Sequence, residues 1–149
     1  MNEEKTKSLD NILKSAKMTD FDRYVNDKIP DNVPSLSSYL EDYLAAHSLD
    51  RNTVVKSSGI SKDYAYSIIN GNRTNPARDR LIALCLAMHM PIDDFQHTLK
   101  LAGLGELYSK NQRDAAVIIS VNNQKWDVNE LNEFLYDHGL KTLTMSKDD

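Results

Sequence analysis

Lys62, Asp63, Tyr66, Ser67 and Asn70 fall on one side of a short helical stretch, 61–69, whose other side carries Ala65 and Ile68. A polar loop follows at once: Asn70, Gly71, Asn72, Arg73, Thr74, Asn75 and Pro76. Amides, hydroxyls, a carboxylate and ammonium or guanidinium groups at this density suit reversible recognition. They can reach base edges in a DNA groove and hold phosphates. Tyr64 and Tyr66 flank Ala65, and each has two readings: contact with thymine methyls, sugars or phosphates, or packing back on the core with the hydroxyl at the surface. Arg73 and Arg78 read as phosphate clamps, with ordinary solvated charge as the alternative.

Such a face needs a rigid support, and the preceding residues spell one. Asp50 can cap a helix that carries Val54 and Val55 inward and ends at Ser58-Gly59. Gly59 supplies a tight turn, Ile60 plugs the space between two helices, and Ser61 caps the second. Two helices joined by a Gly-containing turn can lay one helix in a groove while the other braces it. Upstream, Leu36, Tyr39, Leu40, Tyr43 and Leu44 recur at helical spacing, with Ser35 as cap. Downstream, Asn75 is placed to cap a fourth helix with Pro76 in its first position. That helix carries Leu81, Leu84, Cys85 and Met88 as its buried stripe. Pro91 opens a fifth with Ile92, Phe95, Leu99 and Ala102 on one side, and Gly103 and Gly105 end it.

From about Leu36 to Ala102 the chain resembles the lambda-repressor/Cro-like, or Xre, helix-turn-helix family. The matching marks are Gly59-Ile60-Ser61, Asn70-Gly71 with Arg73, Asn75-Pro76, and the helix from Arg80 to Met88. The chain departs from the family pattern at Arg51, where Gln is common, at Ala65, at the extra loop residue Thr74, and at His89, where Gly is usual. The resemblance implies an all-α fold: a five-helix lambda-repressor-like module plus a C-terminal helical extension. It also implies a cytoplasmic, sequence-selective regulator of transcription, of bacterial or phage origin, acting as a repressor. Its partners would be double-stranded DNA and a second copy in a homodimer. The recognition helix would offer Ser61, Lys62, Asp63, Tyr64, Tyr66 and Ser67. The flanking contacts would be Arg51, Asn70, Asn72, Arg73, Asn75 and Arg78.

The charge distribution agrees with that placement. The chain is net −4, yet residues 51–80 hold six basic groups (Arg51, Lys56, Lys62, Arg73, Arg78, Arg80) against Asp63 and Asp79. Phosphate attraction follows the local field, since exposed charges are screened beyond roughly 10 Å at ~0.1 M salt. The single Cys fits a reducing compartment, and the start of the chain has no hydrophobic signal core. No apolar run approaches the roughly 20 residues of a membrane span.

The remainder divides into 1–34, a polar segment with helical spacing at Leu9, Ile12 and Leu13 and again at Phe21, Tyr24 and Val25, and 104–141, a helical extension. Residues 1–8 and the tail 142–149 are expected to be loose. Within the extension, 115–121 is apolar and β-branched, and we read it as a buried helix. Asp127 and Glu130 form a capping-box pattern, and Leu131, Phe134, Leu135 and His138 are expected to face one way. Segment 103–149 is acidic and could bind a protein. This keeps a second reading open: an adaptor or antitoxin-like partner that carries a helix-turn-helix module. Cys85 lies on an apolar stripe and reads as a buried thiol. His47, His89, His97 and His138 have no metal spacing, and Asp93-Asp94 suit a helix N-terminus. The sequence holds no Gly-rich phosphate loop and no nucleophile elbow, so neither an enzyme nor a cofactor is expected.

Overall fold

Five helix starts are set by side chains that accept from orphan backbone amides. Ser35 accepts from the Ser38 amide at 3.1 Å, Asp50 from Thr53 at 2.9 Å and Ser61 from Tyr64 at 3.3 Å. Asn111 accepts from Asp114 at 2.9 Å and Asp127 from Glu130 at 2.9 Å. Asp50 also accepts from the Thr53 hydroxyl, and these two bonds hold its carboxyl below the ordinary carboxylate range. In the computed structural model, residues 6–29 and 34–143 are described, and they are helical with no strand among them.

The chain divides into two units, Met1–Pro34 and Ser35–Asp149. The first holds helix α1 (Thr6–Ser15), a 3-10 turn (Met18–Asp20) and α2 (Phe21–Lys28). Helix begins at Thr6, so the loose stretch expected over 1–8 does not include residues 6–8; residues 1–5 lie outside the described residues. No side chain described in this unit is buried: Leu9, Ile12, Tyr24 and Val25 are half-buried, and Met18 and Phe21 stand in solvent.

The second unit carries α3 (Leu36–Ala46), α4 (Arg51–Ser58), α5 (Lys62–Ile69), α6 (Arg78–Ala87), α7 (Ile92–Leu101), α8 (Gln112–Asn122) and α9 (Val128–Asp137). Helix α6 is its axis. Every residue from Arg80 to Ala87 is buried, because α4, α7 and α9 all pack on it. The expected single stripe of Leu81, Leu84, Cys85 and Met88 was too narrow, since Ile82, Ala83 and Leu86 are equally enclosed. A helix apolar on all sides belongs in a core. Cys85 is fully buried, and burial pushes its thiol well above its usual range. Among the described residues no helix is long and apolar enough to cross a membrane.

Two further expectations are corrected. Asn75 and Pro76 do not start α6. Its N-cap is Ala77, and the side chain of Asn75 is exposed. Phe134 does not join Leu131 and Leu135 in the core. It is 48% exposed and stacks on His138, which is also exposed. The segment 115–121 is helical as read, within a helix that spans Gln112–Asn122, and Asp114, Val117 and Val121 are the buried residues of that helix.

The extension is fastened by two crossed ion pairs between neighbouring residues on α6 and α8. Arg78 donates to both carboxylate oxygens of Asp114, at 3.1 and 3.0 Å, and Arg113 donates to both oxygens of Asp79, at 2.8 and 2.9 Å. The spare donors are used too. Arg78 reaches the carbonyls of Gly105 and Glu106, and Arg113 those of Lys141 and Thr142. Gln96 clamps Leu107 through its amide and its carbonyl, and the Trp126 indole donates to the Met90 carbonyl at 3.0 Å. The tail expected to be loose from 142 is held at its start: Leu143 is buried and its amide donates to Asn132. Residues 144–149 lie outside the described residues.

Bidentate guanidinium–carboxylate pairs of this kind are strong when shielded from water, and removing one partner leaves the other charge uncompensated. Asp114 is only 6% exposed. Arg78→Ala should therefore cost about 2–3 kcal/mol of folding stability. Urea denaturation followed by circular dichroism checks this, and an unchanged midpoint would show that the pair contributes nothing to docking.

Candidate nucleic-acid interface

Helix α5 is held against α3 and α4 by Ala65, Ile68 and Ile69, all fully buried. The turn before it needs Gly59 at φ 76°, and Ile60 fills the space behind at 6% exposure. At its far end Ser37 on α3 donates to the Ile69 carbonyl at 2.7 Å. Gly71 has φ 87°, and a Cβ there would come within 3.2 Å of the Ser37 hydroxyl. A side chain at 71 would thus face both a left-handed backbone and a tight approach to Ser37. These contacts leave one face of α5 in solvent.

That face carries Lys62, Asp63 and Asn70, all exposed, with Tyr66 half-buried between them. Lys62 sits 6.0 Å from the Tyr66 ring centroid, and the Tyr66 hydroxyl donates to Asn52 on α4. Asn52, Lys56, Lys62 and Tyr66 line a shallow cleft of 310 Å³ between α4 and α5. Sequence reading did not single out Asn52 or Lys56. Asn52 faces Tyr66 across 14 residues, a separation with no local signature. The excess of basic residues over 51–80 did include Lys56.

Tyr64 resolves to the inward reading. Its hydroxyl accepts from the Ala77 amide at 2.8 Å, which ties α5 to the start of α6. Two guanidinium groups lie over its ring, Arg73 at 4.0 Å and the buried Arg80 at 4.5 Å from the centroid. Its spacing of four from Ile68 was the available sign, since i and i+4 share a helix face.

Arg73 is exposed but makes contacts within the protein. Besides the Tyr64 ring it donates to the Ser67 hydroxyl at 3.1 Å, and its amide donates to the Ser67 carbonyl at 2.8 Å. Ser67 is thereby occupied, since its own hydroxyl donates to the Tyr64 carbonyl at 2.6 Å. It is a support for Arg73 rather than a free reading group. Asn72 and Asn75 are exposed in the same loop, whereas Ser61 is spent on capping α5. Arg51 is exposed and pairs with Glu41 on α3. Arg78 is not part of this surface: the extension consumes it, so its role as a phosphate clamp is withdrawn.

The arrangement makes hydrogen bonds and offers positive charge. Among the described residues, no group of three or more His, Cys, Asp or Glu is placed to hold a metal ion. Comparison of the chain with protein-family models, with curated proteins and with solved structures finds no match.

Tyr64→Phe keeps the ring contacts with Arg73 and Arg80 but leaves the Ala77 amide without its acceptor. It should lower stability by about 1 kcal/mol, the net worth of a typical hydrogen bond. Limited proteolysis should cut faster within 70–77. A variant with unchanged stability and unchanged cleavage would show that the hydroxyl does not hold the loop.

Proposed function

We propose that 35–103 is a lambda-repressor-like helix-turn-helix module that binds double-stranded DNA selectively. The observation that carries this reading is the polar face of α5, with Lys62, Asp63 and Asn70 exposed and Tyr66 half-buried, together with the Arg73 guanidinium held on Tyr64 and Ser67 of the same helix. In this proposal α5 enters the major groove, and Lys62, Tyr66 and Asn70 meet base edges and thymine methyls. Arg73 and Lys56 hold phosphates on either side of α5, and Asn72 and Asn75 add neutral contacts. Arg51 contributes through charge shared with Glu41. Two copies related by a two-fold axis would read half-sites about one helical turn apart. The resemblance to Xre regulators extends the proposal to a cytoplasmic repressor of bacterial or phage origin, with no catalytic role.

A second reading is an adaptor or antitoxin-like partner. Ile119, Phe134 and Tyr136 favour a protein contact on the extension, at 62%, 48% and 77% exposure.

Selection of bound fragments from random duplex DNA tests the first reading. An enriched two-fold-symmetric motif is expected, and no enrichment would count for the adaptor. Lys62→Ala should change the enriched motif at one position, since a lost base contact costs ~1–3 kcal/mol of discrimination. Arg73→Ala should weaken binding to all sequences alike and lower the salt slope by about 1. Ser67→Ala should act as a weaker form of Arg73→Ala and leave the motif unchanged. A motif changed by Ser67→Ala but not by Lys62→Ala would reverse the assignment.

A further inference from the structure

We propose that the bracing helix α4 takes part in reading sequence: Asn52, hydrogen-bonded to Tyr66 of α5, forms with it a composite reader of adenine. The Tyr66 hydroxyl donates to the side-chain carbonyl of Asn52. That bond uses the phenolic proton. The Asn52 amide nitrogen keeps its two protons, and the Tyr66 oxygen keeps its lone pairs. A donor and an acceptor therefore stand side by side, one from each helix. Asn52 is exposed and Tyr66 is half-buried, so the pair is within reach of a ligand.

The cleft around the pair offers no rival reader. It is lined by Asn52, Val55, Lys56, Ile60, Lys62 and Tyr66. Val55 and Ile60 have no hydrogen-bonding side chain, and Lys56 and Lys62 only donate. Asn52 and Tyr66 are thus the acceptors among these side chains, and the two lysines attract phosphate beside them. The pair matches one base edge. In the major groove adenine shows an acceptor, N7, next to a donor, its N6 amino group. The Asn52 nitrogen donates to N7, and the Tyr66 oxygen accepts from N6. Guanine shows two acceptors, N7 and O6, so the Tyr66 lone pairs would meet O6 with no proton between them. Cytosine lacks the acceptor that Asn52 needs, and thymine lacks the donor that Tyr66 needs. The internal hydrogen bond orients both groups before DNA arrives, which lowers the ordering lost on binding.

The proposal rests on the DNA-binding reading and names a base that the site selects. Motif selection from random duplex DNA should give a fixed adenine in the wild-type motif. That position, and no other, should relax in both Asn52→Ala and Tyr66→Phe. Guanine in its place should weaken wild-type binding about tenfold or more. Replacing that adenine by 7-deazaadenine, which has no N7 acceptor, should weaken the wild type about fivefold and leave Asn52→Ala no weaker than on adenine. Fluorescence anisotropy with the full chain reads each of these. Tyr66→Phe keeps the ring and Asn52 is exposed, so both variants should give the wild-type circular dichroism. Should either misfold, the base analogue decides on the wild type alone: no adenine in the motif that is sensitive to 7-deaza substitution overturns the proposal. A motif unchanged in both variants overturns it too. So does equal weakening on all sequences by Asn52→Ala, which would make Asn52 a phosphate contact. Relaxation by Asn52→Ala but not by Tyr66→Phe overturns the composite and leaves Asn52 reading alone. Each of these leaves the DNA reading standing, whereas a wild type that enriches no motif removes that reading and this proposal with it.

Discussion

The Tyr64 ring, in contact with the guanidinium groups of both Arg73 and Arg80, is the contact on which the arrangement of the polar surface of α5 depends. Arg80 is 1% exposed, and a buried cation is expensive unless its surroundings compensate it. An aromatic face does part of that work, at about 0.5 to 2 kcal/mol for such a pair. The same ring carries Arg73 on its other contact, and its hydroxyl takes the Ala77 amide. One side chain therefore ties the proposed recognition helix to its basic loop and to the central helix α6. A surface that reads DNA must be pre-organised, because every side chain ordered on binding subtracts from affinity. Arg73, Ser67 and Tyr66 already hold their places through contacts inside the protein.

A second constraint runs through α6. Its apolar residues need cover on every side, and α4 and α7 do not suffice, so the extension supplies α9. The crossed pairs Arg78–Asp114 and Arg113–Asp79 fix how that cover sits. Each acid lies in the first turn of its own helix, where the backbone dipole favours negative charge. The cover thus has two layers of determination: apolar area for the affinity, charge for the register.

Much of this was legible in the residues. Ser35, Asp50, Ser61 and Asp127 announce their helices because a cap acts over three residues. Gly59 and Gly71 announce turns because a left-handed backbone has few other tenants. The contacts that were not legible join distant residues: Tyr64 to Ala77, Tyr66 to Asn52, Arg78 to Asp114. Arg78 shows the difficulty best. Its neighbours in sequence placed it with the basic loop, and only the folding back of α8 turned it into a structural clamp. Likewise the stripe on α6 could not reveal a fully enclosed helix, because periodicity marks one buried face and is silent when all faces are buried. Phe134 shares its helical spacing with Leu131 and Leu135, yet it lies at the edge of the stripe and meets solvent.

The most direct measurement is amide chemical-shift mapping as duplex DNA is added to the full chain. The largest shifts should fall within 61–75 and at Lys56, with α7 unmoved. Shifts concentrated on α8 and α9, with 61–75 unchanged, would contradict the proposed role of α5 as the reading helix.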